Sequence, residues 1–395
     1  MSATVLELPP GNGTVRLQVI DTGSKLLCKA ETLLEPGIPG HEYLNLPNVC
    51  WLVENLNTGK KVLFDCGVRK NFKDLPPAAL EVLRVSTPGL HVDFDVHDIL
   101  VKSKVDPGTL DWIIWSHHHW DHTGDPTRFP PNVGIVVGPE FSATHLPGYP
   151  SNPKSEMVEK DFVGRPFWEL DFDTNRTIGG LRAYDFWGDG SLYLLDTPGH
   201  SVGHISALAR TSDMNFVFMG GDICHFPGVF RPSPYIPLPN QMTKAARLDT
   251  YFACPCAAST FTSIHPKGEE AGRREPFYKP SSGPLSIYQD PSLAYSTVQR
   301  LIEFDAHPDV MVCIAHDPAV AETLPTMNKG PANEINGWKE KGYKEACHWG
   351  FLNQLPRAGK PGRPKLVEKY KCEGTLYDDV EGLKTGHSNH FKSLL

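Results

Sequence analysis

Four short apolar stretches of this sequence each run into a histidine or an aspartate, and this pattern constrains the fold more than any other feature. Short apolar runs bounded by turn residues are typical of buried strands. Polar groups held at the ends of rigid strands form a preorganised site. The stretches and their polar ends are residues 112–115 with 117–122, 194–195 with His200, 216–219 with Asp222, and 310–315 with His316.

The first of these ends, from His117 to His122, places four ligand-type side chains within six residues. On an extended segment alternate residues face one way, so His117 and His119 point together. A turn after them brings Asp121 and His122 back to the same point. Imidazole and carboxylate groups bind zinc and similar divalent ions. The run therefore predicts a metal site rather than a histidine-rich surface loop.

These motifs resemble those of the metallo-β-lactamase superfamily. Residues 117–122 match the His-x-His-x-Asp-His motif of that family, and residues 197–200 match its Thr-Pro-Gly-His turn. Asp65, in Phe-Asp-Cys-Gly, matches an early structural Asp-x-Gly motif. The resemblance spans roughly residues 49–317. It implies an α/β fold, a four-layer αββα sandwich with two metal ions in a cleft at one edge.

Carried over residue by residue, the resemblance implies seven metal ligands. The first metal would be bound by His117, His119 and His200, the second by Asp121, His122 and His316, and both by the bridging Asp222. The implied cofactor is two zinc ions per chain, with iron or manganese as alternatives. Such a ligand set leaves positions open for water and substrate, as a catalytic site requires.

An aspartate at the bridging position separates this chain from the zinc β-lactamases, many of which carry cysteine at their second site. It favours the lactonase, glyoxalase II and thioesterase branches. Lactonases have a tyrosine three residues after the bridging aspartate, where this chain has His225. We therefore interpret His225 as a catalytic proton donor and Asp121 as a catalytic group that receives a proton.

The reaction implied by the resemblance is hydrolysis of a lactone or a lactam by a zinc-activated hydroxide, in secondary metabolism or xenobiotic detoxification. A thioesterase acting on an acyl carrier or acyl-coenzyme A is the alternative. A mononuclear iron oxidoreductase is a further one. The expected partner is a small hydrophobic or aromatic substrate, and the oligomeric state stays open.

A stretch rich in Pro, Ser and Gly, residues 226–284, predicts a long insertion over one face of the fold. We expect this insertion to choose the substrate. Its aromatic residues Phe226, Phe230 and Tyr235 either line a pocket or simply pack, and we favour packing. After the insertion, Asp290-Pro291 predicts a helix with Asp290 as its N-cap.

Three regions follow from these patterns. Residues 1–45 are interpreted as N-terminal strands and a lead-in, and residues 46–325 as the catalytic domain with the insertion 226–284. Residues 326–395 are interpreted as a C-terminal helix, placed at residues 334–348, followed by a polar tail.

The net charge of −8 argues against nucleic acid as a partner, because a phosphate-binding surface needs an excess of Lys and Arg. No apolar run approaches the roughly 20 residues of a membrane span, so we expect no membrane partner. The N-terminal residues do not resemble a secretory signal. Nine cysteines with scattered spacing indicate reduced thiols, so we expect a cytoplasmic protein.

Overall fold

The computed structural model describes residues 6–172, 176–250, 252–330 and 333–385. The strands are β1 (Val15–Asp21), β2 (Lys25–Lys29), β3 (Leu34–Glu35), β4 (Tyr43–Leu46), β5 (Val49–Asn55), β6 (Lys61–Phe64), β7 (Gly89–Val92), β8 (Trp112–Ile114), β9 (Gly134–Val137), β10 (Phe167–Glu169), β11 (Thr177–Ile178), β12 (Leu181–Asp185), β13 (Leu192–Asp196), β14 (Ile205–Arg210), β15 (Phe216–Met219), β16 (Gln241–Met242), β17 (Cys256–Ala257), β18 (Lys279–Pro280), β19 (Val310–Cys313), β20 (Tyr370–Cys372) and β21 (Thr375–Tyr377). The α-helices are α1 (Pro77–Ser86), α2 (Val96–Lys102), α3 (Trp120–Thr123), α4 (Phe141–His145), α5 (Ser259–Thr262), α6 (Pro291–Ala306), α7 (Pro318–Thr323), α8 (Tyr343–His348) and α9 (Val380–Thr385).

Two six-stranded sheets form the centre of the molecule. The first has the order β1-β5-β6-β8-β9-β10 and the second the order β11-β12-β13-β14-β15-β19. Apolar side chains from both sheets, such as Phe64 and Ile114 from the first and Leu194 and Met219 from the second, pack in one buried cluster. The two sheets are therefore stacked face to face, as in a sandwich.

Helices cover the outer faces of both sheets. Val96 and Ile99 of α2 pack with the outward side chains of the first sheet, whereas Val298 and Leu301 of α6 pack with those of the second. The predicted αββα layering is thus confirmed. The predicted N-cap of α6 is also confirmed, because the side chain of Asp290 accepts a hydrogen bond from the Leu293 amide.

Strand direction explains why the polar strand ends meet. Strands β6, β8 and β9 are mutually parallel, and β15 is parallel to β19. Strand β13 runs in the direction of β15, because each is antiparallel to β14. Each polar site follows the carboxyl end of one of these strands. Asp65 follows β6, and residues 116–122 follow β8 in the first sheet. Residues 197–200 follow β13, Asp222 follows β15 and His316 follows β19 in the second sheet. The sandwich therefore gathers these side chains at one edge.

The segment after residue 326 differs from the predicted helix and polar tail. The helix is shorter than predicted and covers only Tyr343–His348. The prediction of a tail is wrong for residues 370–385, which form β20, β21 and α9. Tyr370 and Cys372 of β20 are buried, and β20 pairs in parallel with β7 in a five-stranded sheet of order β21-β20-β7-β2-β4. Such short strands carry too few apolar residues to stand out from a polar sequence.

The predicted insertion 226–284 is attached firmly to the rest of the fold. It contains short elements such as β16, β17 and α5. Phe226 and Phe230 are fully buried, which confirms the packing interpretation for them, whereas Tyr235 is exposed. Arg231, also buried, forms an ion pair with Asp305 of α6. The division of the chain at residues 45 and 325 stays a prediction. Among the described residues, no helix is long and apolar enough to cross a membrane.

Candidate metal centre

The first group of histidines converges on one point. The distances are 2.9 Å from His117 Nε2 to His119 Nδ1, 2.9 Å from His200 Nε2 to His119 Nδ1, and 3.1 Å from His200 Nε2 to His117 Nε2. Asp222 Oδ2 lies 3.6 Å from His117 Nε2 and 3.5 Å from His200 Nε2. Three imidazole nitrogens and one carboxylate at these spacings match a tetrahedral metal site.

The second group shares the same aspartate. His122 Nε2 lies 3.2 Å from Asp222 Oδ2, and His316 Nε2 lies 3.0 Å from Asp222 Oδ1. Asp121 Oδ2 lies 3.8 Å from His122 Nε2 and 3.5 Å from His316 Nε2. All seven residues singled out from the sequence are therefore brought together as two clusters joined at Asp222.

Three buried atoms of these seven residues form no hydrogen bond, namely His122 Nε2 and Asp222 Oδ1, which face the other members of the second cluster, and His200 Nδ1. Buried polar atoms are almost always satisfied, so each exception calls for a partner such as an ion. The donor set of five imidazoles and two carboxylates suits zinc, iron or manganese. The residues present therefore fit a pair of divalent metal ions.

Hydrogen bonds outside the clusters fix which nitrogen of His122 and which nitrogen of His316 face inward. His122 Nδ1 lies 2.8 Å from Asp65 Oδ2, and His316 Nδ1 donates to the carbonyl of Pro47 at 2.7 Å. Asp65 also accepts from the Ser116 amide at 2.7 Å. Such outer contacts hold the tautomer and the orientation of metal-binding histidines. Asp65 does so from a left-handed backbone conformation, with φ of 63°, which is uncommon for residues other than glycine.

Burial and charge set the protonation of the two clusters differently. Burial, reinforced by the other imidazoles, lowers the pKa of His117 and His200, so both stay neutral with a lone pair available for a metal. Burial also disfavours the charged form of His122, but the carboxylates of Asp222, Asp65 and Asp121 outweigh it and raise its pKa. This half of the site therefore has a strongly negative field that attracts cations.

The turn that carries His200 requires a glycine. Gly199 has φ of 126°, and a side chain there would meet the backbone of Ala294 at 2.2 Å. The segment before helix α6 holds this turn in place. The amide of Gln289 donates to the carbonyl of His200, and the amide of Asp290 donates to the carbonyl of Gly199. The start of α6 is thus part of the support for the first cluster.

Two further histidines of the motif region, His118 and His204, lie outside these two clusters. His204 Nε2 accepts from the Asp222 amide at 3.0 Å and so positions that residue. The ring of His118 stacks on His145 with centroids 3.9 Å apart.

His225 lies against the bridging aspartate. Its Nε2 is 3.1 Å from Asp222 Oδ2, and its Nδ1 is 2.9 Å from the hydroxyl of Tyr288. Tyr288 is buried, and its hydroxyl is the group that orients the His225 ring. No motif points to Tyr288 in the sequence, because this residue lies 63 residues from His225 in a segment without motifs.

A narrow cavity of about 30 Å³ adjoins the metal ligands. One wall consists of the ligand residues with Trp120 and His225. The opposite wall comes from the five-stranded sheet region, from α1 and from the segment before α6. Its residues are Leu26, Cys28, Thr32, Leu33, Leu46, Val82, Ser86, Thr87 and Ile287. None of them belongs to residues 226–284, so the insertion does not line this cavity, and its role in substrate choice stays a prediction.

Known proteins resemble this chain along most of its length. The family model described as the metallo-beta-lactamase superfamily matches residues 44–212. The γ-lactamase FDB1 of Fusarium pseudograminearum is 38% identical over 357 residues, which cover 88% of this chain and 84% of that protein. The chain belongs to the metallo-β-lactamase superfamily.

Other members of the superfamily are similar to a comparable degree. The metallo-hydrolase mfmC of Annulohypoxylon moriforme is 37% identical over 359 residues, covering 89% of this chain and 90% of that one. The γ-lactamase MBL2 of Gibberella moniliformis is 41% identical over 245 residues, covering 61% of this chain and all of that one. A quorum-quenching N-acyl homoserine lactone hydrolase shares the fold with a TM-score of 0.50 at 19% identity, covering 81% and 98% of the two chains. This member of the superfamily is therefore a hydrolase.

Proposed function

We propose that this hydrolase opens a cyclic amide or ester, with γ-lactams as its first substrate class and two metal ions, zinc in the first instance, at the seven-residue site. The observation that carries the proposal is the pair of converging clusters joined at Asp222. Similarity to two proteins named as γ-lactamases supports the choice of substrate class.

Metal ions at such a site activate water and polarise the carbonyl group of the substrate. The chain contributes the proton transfers and the orientation. Burial raises the pKa of Asp121, which suits its carboxylate to take up a proton from the attacking water. With the Tyr288 hydroxyl donating to His225 Nδ1, His225 Nε2–H is a hydrogen-bond donor beside the cavity, 3.1 Å from Asp222 Oδ2, and it would stabilise negative charge on the departing nitrogen or oxygen, to which Asp121 returns the proton taken from water.

The small volume of the cavity supports a compact substrate. About 30 Å³ holds roughly two water molecules. Its non-ligand wall is mainly aliphatic, with Leu26, Leu33 and Ile287 opposite the metal ligands. A small apolar ring that displaces one wall side chain fits this space, whereas a bulky aromatic molecule requires a larger displacement.

A hydrolysis panel tests the proposed function. Purified protein is assayed on γ-lactams, γ-lactones, acyl thioesters and phosphodiesters, before and after chelation and after return of zinc, iron or manganese. We expect turnover of γ-lactams or γ-lactones, its loss on chelation and its recovery with zinc. Turnover of thioesters alone would establish the thioesterase alternative. A protein that contains one iron per chain and hydrolyses no substrate would exclude the hydrolase.

Because α1 forms part of the cavity wall, we expect a substitution on this helix to change which lactam ring size is preferred. Val82, half-buried on α1, lines the cavity, whereas Val85 on the same helix does not. We expect Val82→Ala to raise kcat/KM about tenfold for a six- or seven-membered lactam relative to a five-membered one. Removing two methyl groups from the wall should lower the free-energy cost of accommodating the larger ring by about 1–2 kcal/mol. Alanine is also favourable in a helix, so stability should change little.

The matched control is Val85→Ala, which makes the same chemical change on α1 away from the cavity. It should leave the preference for ring size unaltered. If both variants shift the preference equally, or neither does, α1 does not form the substrate wall.

A further inference from the structure

One short stretch of chain separates the cavity beside the metal ligands from a much larger outer cavity. The outer cavity has a volume of about 830 Å³ and shares no lining residue with the inner one. Thr32 and Leu33 line the inner cavity, whereas residues 29–31 line the outer one. The wall between the two cavities is therefore a single layer of chain here. We call residues 31–33 the wall turn.

The inner cavity does not hold a lactam ring while its wall keeps this position. Its volume of about 30 Å³ corresponds to roughly two water molecules, and even a five-membered lactam is larger. Wall residues such as Leu26 and Leu46 belong to paired strands within the buried core, and a close-packed core resists displacement. The wall turn has the outer cavity behind it. Space for a substrate is therefore gained most readily by a shift of the wall turn.

Both ends of the wall turn are fixed by neighbouring strands. Before it, β2 pairs with β4 up to Lys29, and the Ala30 amide donates to the carbonyl of Glu42 at 2.9 Å. After it, Leu34 of β3 pairs with β18. A shift towards the outer cavity is therefore confined to the wall turn itself.

The segment that precedes α6 holds the wall turn in place. Ser281 Oγ donates to the carbonyl of Glu31 at 2.7 Å, and the Ser281 amide donates to the carbonyl of Leu33 at 3.1 Å. The Ile287 amide donates to the carbonyl of Thr32 at 3.1 Å. The buried Ser281 thus supplies two of these three hydrogen bonds, and its hydroxyl forms the shortest of them.

We propose that Ser281 is a specificity-determining residue, which holds the wall turn beside the metal centre and so limits the size of the ligand. A larger ligand pushes the wall turn towards the outer cavity, and the Ser281 hydroxyl opposes this movement. Ser281 belongs to the insertion 226–284, which would act on substrate choice from behind the wall. A limit on lactam ring size rests on the proposed function, whereas a limit on ligand size at the metal ions requires no hydrolysis.

Amide hydrogen exchange of the full-length protein measures the holding contact without any substrate. Ser281→Ala removes the hydroxyl and keeps the backbone amide. We expect exchange at the Leu33 and Ile287 amides to become about fivefold faster, which is the effect of one lost hydrogen bond, while the amides of α6 exchange as in the wild type. Ser282→Ala is the matched control, because its hydroxyl donates to Glu35 Oε2 at 2.8 Å, outside the wall turn. Unchanged exchange in Ser281→Ala, or equal acceleration in both variants, would overturn the proposal.

Two hydroxamates measure the limit on ligand size, because hydroxamates bind metal ions directly and contain no lactam ring. In the metal-loaded wild type we expect acetohydroxamate to bind more tightly than cyclohexanecarbohydroxamate. Ser281→Ala should shift the ratio of the two affinities about fivefold towards the larger ligand. The Ser282→Ala control should leave this ratio unchanged.

A variant that fills the outer cavity should have the opposite effect. Gly37 lines this cavity, and a Cβ added there meets no atom within 4 Å, so Gly37→Phe occupies the space into which the wall turn would move. It should shift the ratio towards acetohydroxamate. An unchanged ratio in both Ser281→Ala and Gly37→Phe would overturn the role of Ser281 in ligand size. A shifted ratio in a protein that hydrolyses no lactam or lactone would count against the proposed function alone.

Discussion

Replacing Asp222 by alanine is expected to lower kcat/KM by more than about a thousandfold, because this residue joins both clusters and its loss removes a ligand from each proposed metal ion. Its carboxylate lies 3.0 Å from His316 Nε2 and 3.2 Å from His122 Nε2. The measurement is kcat/KM on the best substrate of the panel together with metal content. We expect metal content to fall from about two ions per chain to one or fewer.

Asp196→Asn is the matched control for this variant. Asp196 is also a buried aspartate at the carboxyl end of a strand, but its carboxylate pairs with Arg182 at 2.8 Å and belongs to neither cluster. It should retain both ions and most of the activity. Full activity in Asp222→Ala on any hydrolysed substrate would show that the metal assignment is wrong.

The second large effect is expected from Arg231→Met, which should lower the free energy of unfolding by about 3–5 kcal/mol. Arg231 Nη2 donates to Asp305 Oδ1 at 2.6 Å and Nε donates to Oδ2 at 3.0 Å, with both side chains buried. Methionine fills much of the volume of arginine but leaves the carboxylate of Asp305 buried without its cation. Denaturant unfolding at pH 7 measures the loss.

The double variant Arg231→Met, Asp305→Leu removes both charges and should regain most of that stability, since a buried ion pair is often replaceable by apolar residues. The effect should also depend on pH. Burial disfavours the charged carboxylate, but Arg231 outweighs it and lowers the pKa of Asp305 to about 2. The unfolded value is about 3.9, so the contribution of the pair is complete above that pH and is lost as pH falls towards 2. If the difference in free energy of unfolding between the wild type and Arg231→Met is the same at pH 7 and at pH 2.5, this account is contradicted.

The metal-site residues could be predicted because each belongs to a motif with local meaning. Residues 117–122 and His200 each follow a short apolar strand, so the strand and its polar end can be recognised together in the sequence. Parallel strands of the sandwich then bring such ends to one edge. The contacts of Asp65 with His122 and of Pro47 with His316, which fix the tautomers of these histidines, could not be predicted from the sequence. Each contact joins residues that are far apart in the chain.

The substrate wall could not be predicted from the sequence in the same way. Residues such as Leu33 and Val82 carry no chemical signature, and they reach the cavity only because a separate small sheet and α1 pack beside the metal ligands. The insertion 226–284 is conspicuous by its length, yet Arg231 and Phe226 tie it into the buried core, and none of its residues lines the cavity beside the two clusters. Composition indicates where loops are long but not which cavity they cover.

The pairing of β20 with β7 connects a segment late in the chain to the cavity beside the two clusters. Strand β20 extends the sheet that contains β2 and β4, and those two strands supply Leu26, Cys28 and Leu46 to the substrate wall. The hydroxyl of Tyr370 in β20 donates at 2.7 Å to the carbonyl of Thr87, itself a wall residue. Exchange of residues 370–385 for those of a homologue is therefore expected to change the shape of this cavity while leaving all seven residues of the two clusters in place.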